Sequence, residues 1–167
     1  DSRIGTSIHV VEFGDYLFKT IMNKFDLQSR DEIKSKVSPD DLSRSLDEVL
    51  ENMHSLTPGL LNTHVMYRQG KSLVVNPQAE RKINPVTYLY VWSDPEQIYA
   101  WRRQDDTKRT RPNETVDEIA FHQELAQQAV ATIAQTLGSS MRNMYNFPGN
   151  DSKNIDIICE EIDGLLQ

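Results

Sequence analysis

The groups in this chain that could do chemistry are few and scattered. Four histidines, His9, His54, His64 and His122, stand far apart, and none has the close His/carboxylate spacing of a metal site. His122 and Glu124 are two residues apart on a predicted helix and so do not share a face. Gly138-Ser139-Ser140 follows a predicted helix end, whereas an activated serine needs a strand-to-helix elbow. With only seven glycines the chain shows no loop suited to cradling phosphate. The adjacent acids Asp105/Asp106 and Glu160/Glu161 turn apart on a helix. These residues predict a chain that is not an enzyme and has no metal site and no cofactor.

Two charged constellations remain. Arg102, Arg103, Lys108, Arg109 and Arg111, interrupted by Asp105 and Asp106, follow Tyr99 and Trp101. Cations beside aromatic rings suit phosphates and stacked bases, so Trp101 and these five form a candidate nucleic-acid-binding surface, to which Arg68 and Lys71 of a predicted hairpin would add a phosphate contact. The other constellation is acidic: Asp40, Asp41, Asp47, Glu48 and Glu51 accompany the single base Arg44 on one helix. Carboxylates facing phosphate cost affinity, so this helix is a poor groove reader and suits a protein partner with a basic groove.

The elements that carry these groups are marked by caps and periodicity. Val10, Phe13, Leu17, Ile21 and Phe25 recur at helical steps, although Ile8–Phe13 also reads as a short strand with Asp15 capping a helix behind it. Ser29 and Glu32 form a capping-box pattern before a short helix from Arg30 to about Lys36. Ser38, Pro39, Asp40 and Asp41 open a second helix, with Leu42, Leu46, Val49, Leu50 and Met53 as its apolar stripe. Residues 62–75 then read as a hairpin turning at Gln69-Gly70-Lys71, and QAERKI reads as a polar connector. Val86–Trp92, β-branched and aromatic, is a central strand. A short helix with Ile98 and Trp101 inward follows, then an exposed loop over Arg102–Pro112. A long helix from about Glu114 to Leu137 ends at Gly138, and a last helix starts near Ser152.

Helix, short helix, tight corner, longer helix, hairpin: over residues 8–76 this order resembles a winged helix. The fold expected is therefore α+β, with a winged-helix-like unit at 1–112, a small antiparallel sheet that joins the hairpin to Val86–Trp92, and a C-terminal helical pair at 113–167 packed on it. Alanines 126, 129 and 134 would permit a homodimer seam.

Composition narrows the partners. Eighteen basic against twenty-five acidic residues give a net charge of −7, which disfavours a whole-surface nucleic-acid binder. A local patch can still act, because charge is felt only within about 8 Å at physiological salt. A single cysteine, Cys159, excludes an internal disulfide and a multi-cysteine zinc cluster and fits a reducing, cytoplasmic setting. No apolar run reaches the roughly 18 residues of a membrane span. The chain opens on Asp1, which reads as a trimmed or processed start. Asn113-Glu114-Thr115 and Asn150-Asp151-Ser152 match the glycosylation pattern, which arises often by chance. The expected function is a non-catalytic interaction module, an adaptor in a larger assembly; the alternative is a DNA- or RNA-binding regulator that uses the 102–111 cations and the 62–75 hairpin.

Overall fold

The computed structural model describes residues 9–29, 32–53, 59–64, 66–69, 72–75, 77–105 and 114–165. The chain divides into two compact units that meet in sequence between Asn84 and Pro85.

The first unit begins with strand β1 (His9–Glu12), which runs directly into helix α1 (Phe13–Phe25). Asp26, in the left-handed region at φ 50°, ends that helix with its N–H on Met22 O. Helix α2 (Ile33–Lys36) and helix α3 (Pro39–Met53) follow. Ser38 starts α3: its Oγ accepts from Asp41 N at 3.1 Å while its hydroxyl donates to Asp41 Oδ2 at 2.7 Å. Ile21, Leu27 and Ile33 form a buried cluster with Leu17, Phe18, Met22, Phe25 and Val37 packed around it. On α3 the buried face is Ser45, Val49 and Leu50, and Leu42, expected inward, is 40% exposed. The chain then enters strand β2 (Gly59–Asn62), which pairs in parallel with β1 from His9↔Gly59 to Glu12↔Asn62.

That pairing overturns the winged helix. The three helices are the crossover of a parallel β-α-β unit, the connection that parallel neighbours require. The hairpin does form, as strands β3 (Met66–Gln69) and β4 (Ser72–Val75), but these pair with each other as a separate two-stranded sheet. The expected connector is helix α4 (Pro77–Ile83), which starts on a proline and closes on Asn84 at φ 47°.

The second unit holds strand β5 (Thr87–Trp92), helix α5 (Pro95–Asp105), helix α6 (Val116–Leu137), strand β6 (Ser140–Tyr145) and helix α7 (Asp151–Leu165). Here too the expected antiparallel sheet gives way to a parallel pair, β5 with β6, in register from Thr87↔Ser140 to Trp92↔Tyr145. A strand as apolar and β-branched as Val86–Trp92 suits a parallel sheet with helices on its faces. Strand β6 also separates the two C-terminal helices that were expected to form a pair. Ile119, Val130, Ile133 and Ala134 of α6 and Met144 of β6 are buried. Asn143 faces α6, where Gln127 Nε2 donates to its Oδ1 at 3.0 Å; its neighbour Arg142 points to the opposite face and reaches Glu161 of α7 at 3.6 Å. Ser139 and Ser140 serve the start of this pairing: Ser139 Oγ donates to Pro85 O at 2.6 Å, and the Ser140 and Thr87 hydroxyls share a bond of 2.5 Å.

Candidate active site

In parallel α/β units, ligands bind beyond the carboxyl ends of the strands. The carboxyl end of β5 is pinned to α6 by one side chain. Gln123 Oε1 accepts from Ser93 N at 3.1 Å, and its Nε2 donates to Ser93 O at 2.9 Å, while Tyr90 OH donates to the Gln123 carbonyl at 2.7 Å. Gln123 is therefore level with the end of the strand, and burial of the Tyr90 hydroxyl pushes its pKa up.

This lock decides where Arg102, Arg103 and Glu114 lie. Helix α6 has 22 residues and spans about 33 Å, whereas each six-residue strand spans only about 20 Å. Residues 123–137 match the strands, so residues 116–122 project about 10 Å past their carboxyl edge. Helix α5 leaves from that same edge, and the two helices form the stems of an arm.

At the root of the arm, Glu114 gathers two partners. Arg102 Nη1 donates to Glu114 Oε2, and His122 Nδ1 lies 3.2 Å from Glu114 Oε1. Arg103 turns to Tyr99, with Nη1 3.2 Å from the phenol oxygen and its carbon 5.7 Å from the ring centre. Arg102 and Arg103, expected in a loop, thus belong to the last turn of α5. Trp101 sits on the same turn, 36% exposed. Thr115 caps α6 through a full capping box with Glu118. Lys108, Arg109 and Arg111 lie outside the described residues.

The strand ends themselves carry aromatic rings. Trp92, 39% exposed, meets Tyr145 edge to face at 4.8 Å, and Tyr145 meets Phe147 at 4.9 Å. Tyr145 OH donates to Asp94 Oδ2 at 2.6 Å, which, with the adjacent carboxylate charge, raises the phenol's pKa. Flat apolar rings at the end of a strand pair are suited to stacking on a planar base.

The first unit offers its own strand ends. Asn62 Nδ2 donates to both oxygens of Glu12, at 3.1 and 2.9 Å, where β1 and β2 finish side by side. Thr63 and His64 extend from this edge, and His64 is exposed.

The acidic helix is arranged differently. Asp41 pairs with Arg44 at 2.6 Å, Asp47 with Lys82 of α4 at 2.5 Å and Glu48 with Lys24 of α1 at 2.7 Å. Three of its carboxylates thus meet cations of their own unit, and Asp40 and Glu51 are exposed. The side chain of Arg68, on β3, and all of Lys71 lie outside the described residues.

Residues 4–120 match the AAA domain, and the match runs through both parallel β-α-β openings. The chain belongs to the AAA domain family. It is similar to the adenylate kinase of Pyrobaculum aerophilum, with 29% identity over 145 residues that cover 85% of this chain and 73% of the relative. The adenylate kinase of Thermococcus sibiricus is 27% identical over 169 residues, covering 98% of this chain and 84% of the relative. That of Thermoplasma acidophilum is 26% identical over 153 residues, covering 89% and 81%. These likenesses overturn three expectations: the non-catalytic adaptor, the DNA- or RNA-binding regulator, and the exclusion of an enzyme. They also replace the winged helix with the α/β fold of a P-loop NTPase, in agreement with the two parallel pairs. No helix among the described residues is long and apolar enough to cross a membrane.

Such a fold implies a G-x-x-x-x-G-K-[ST] cradle for a triphosphate with its Mg²⁺. The residues present do not fit one. Gly70-Lys71-Ser72 repeats the last three letters, but Val65 stands where the first glycine belongs, and Ser72–Val75 is a hairpin strand where the motif needs a helix. Among the described residues no cluster of three His, Cys, Asp or Glu side chains could hold a metal ion. Histidine and carboxylate do meet, at Glu114 and His122, but across eight residues of sequence, a spacing that close-pair reasoning does not test. The capping-box letters Thr115 and Glu118 were the signal that could have placed Glu114 at the entry to α6.

Proposed function

We propose that this chain handles nucleotide phosphates in a nucleoside-monophosphate kinase, with adenylate as the acceptor. The observation that carries the reading is the arm: Arg102 and Arg103 stand on the stem that leaves the carboxyl edge of a parallel pair, where open α/β proteins receive ligands. The likeness to adenylate kinases supports the substrate class.

Phosphoryl transfer asks a protein mainly for positioning and for charge stabilisation. The bond from the terminal phosphorus of the donor to its bridging oxygen breaks, and a phosphate oxygen of the acceptor takes that phosphoryl group. Negative charge spreads over the oxygens in flight, and guanidinium groups with fixed donors stabilise it more than they stabilise the ground state. Arg102 and Arg103 supply such groups, and Lys108, Arg109 and Arg111 add cations along the same segment. The rings of Trp92 and Tyr145 offer a stacking surface for one base.

The test is transfer of labelled terminal phosphate from ATP to AMP. Wild-type protein is expected to form ADP, and Arg102→Gln with Arg103→Gln to slow the transfer by roughly a hundredfold or more. Absence of labelled ADP from folded wild-type protein would overturn the reading.

A further inference from the structure

Glu114 is the most enclosed charged group at the root of the arm. Its side chain is 11% exposed, against 34% for Arg102 and 22% for His122. A carboxylate so enclosed persists only when its oxygens are matched. Here one oxygen holds the guanidinium on α5 and the other faces the imidazole on α6, so a single side chain ties the two stems together. Glu118, on the first turn of the same helix, is committed to the Thr115 cap, and Arg103 is turned to Tyr99.

From this geometry we infer that Glu114 is a positioning residue for phosphate binding, acting through Arg102. The inference rests on the proposal that the arm takes nucleotide phosphates. A guanidinium carries five N–H donors in a rigid fork. Among the described residues Glu114 engages it at Nη1, and the fork carries further donors of the kind that bind phosphate oxygens. An arginine already held in place loses less freedom when the ligand arrives. Without Glu114 that ordering would fall on the binding step, as a loss of roughly three- to tenfold in affinity.

The test is a double-mutant cycle on ADP binding, read by calorimetry with the full chain, with adenosine as the phosphate-free control and thermal melts to confirm folding. Arg102→Gln should weaken ADP binding about tenfold or more, by removing a charged hydrogen bond. Glu114→Gln should weaken it roughly three- to tenfold in the wild-type background and clearly less in the Arg102→Gln background, because Glu114 has then lost the guanidinium it positions. Adenosine affinity should not change. If Glu114→Gln does not fold, His122→Gln, which removes the second support of Glu114, carries the same cycle with the same signs.

Equal losses in both backgrounds would overturn the inference and leave Glu114 a purely structural residue. Unchanged or tighter ADP binding in Glu114→Gln would overturn it as well, since the carboxylate would then be idle or would hold Arg102 away from phosphate. If wild-type protein bound ADP no better than adenosine, the nucleotide-phosphate reading itself would fall, and the positioning role with it.

Discussion

At the scale of single residues, Gln123 registers one element of the second unit against another. It satisfies both backbone groups of Ser93, which is 3% exposed, and so registers α6 against β5. Gln123→Ala would strand a buried N–H and a buried carbonyl, and is expected to destabilise the protein by about 2 kcal/mol, measured by urea unfolding. The same change should weaken ADP binding, because the arm would lose its level relative to the strand ends. Asp41 makes a second residue-scale prediction. The Ser38 hydroxyl donates to it and the Arg44 and Lys24 cations lie near, so its pKa falls below the ordinary aspartate value. Glu32 is shifted the same way, chiefly by the Gln28 N–H and then by Lys36. A depressed folded-state pKa means that the stabilisation is present above the unfolded value and is lost as pH falls through the folded one. The urea midpoint should therefore hold steady down to about pH 5 and decline below it. Asp41→Asn should flatten part of that decline; an unchanged acid limb would show that the Ser38–Asp41 contact contributes nothing.

At the scale of elements, helices α3 and α6, the hairpin and β5 were legible, and strands β1, β2 and β6 were less so. Ser38 and Pro39 announce α3, and Gly138 ends α6 at φ 72°. Thr115→Ala should cost about 1 kcal/mol by removing the cap at the arm's exit. Gly138→Ala should cost roughly 1–2 kcal/mol through the left-handed backbone alone, since an added Cβ would meet nothing within 4 Å. Thermal or urea unfolding checks both. Strands β1, β2 and β6 left weaker signals for a physical reason. Each is only four to six residues long, and parallel partners such as His9 and Gly59, or Thr87 and Ser140, lie some fifty residues apart in sequence. Periodicity over a dozen residues does not contain that pairing. It explains why three consecutive helices and a real hairpin suggested a winged helix: the strand that makes the helices a crossover was ambiguous between helix and strand. Helix α4 escaped because QAERKI has no apolar stripe, although Pro77 and the basic last turn mark a helix.

At the scale of the whole molecule, the net charge is −7 and acids flank the arginines of the arm, so phosphate binding there is a local, short-range matter of individual guanidinium groups. Composition alone therefore pointed away from a phosphate ligand. The cations themselves were visible in the sequence; the place of Arg102 and Arg103 was not, because it depends on α6 outrunning the strands and on Gln123 setting the level. The family resemblance supplies what neither charge nor spacing contains, since a phosphate cradle of the G-x-x-x-x-G-K-[ST] kind is not among these residues. The central claim is that the arm takes the phosphates of an adenine nucleotide, and the most direct test is equilibrium binding of adenosine, AMP and ADP at about 50 and 200 mM salt, with the Arg102→Gln, Arg103→Gln protein alongside. Affinity should rise from adenosine through AMP to ADP, fall with salt for the nucleotides alone, and lose most of that gradient in the variant. Equal affinity for all three ligands, or a gradient that survives both substitutions, would contradict the account.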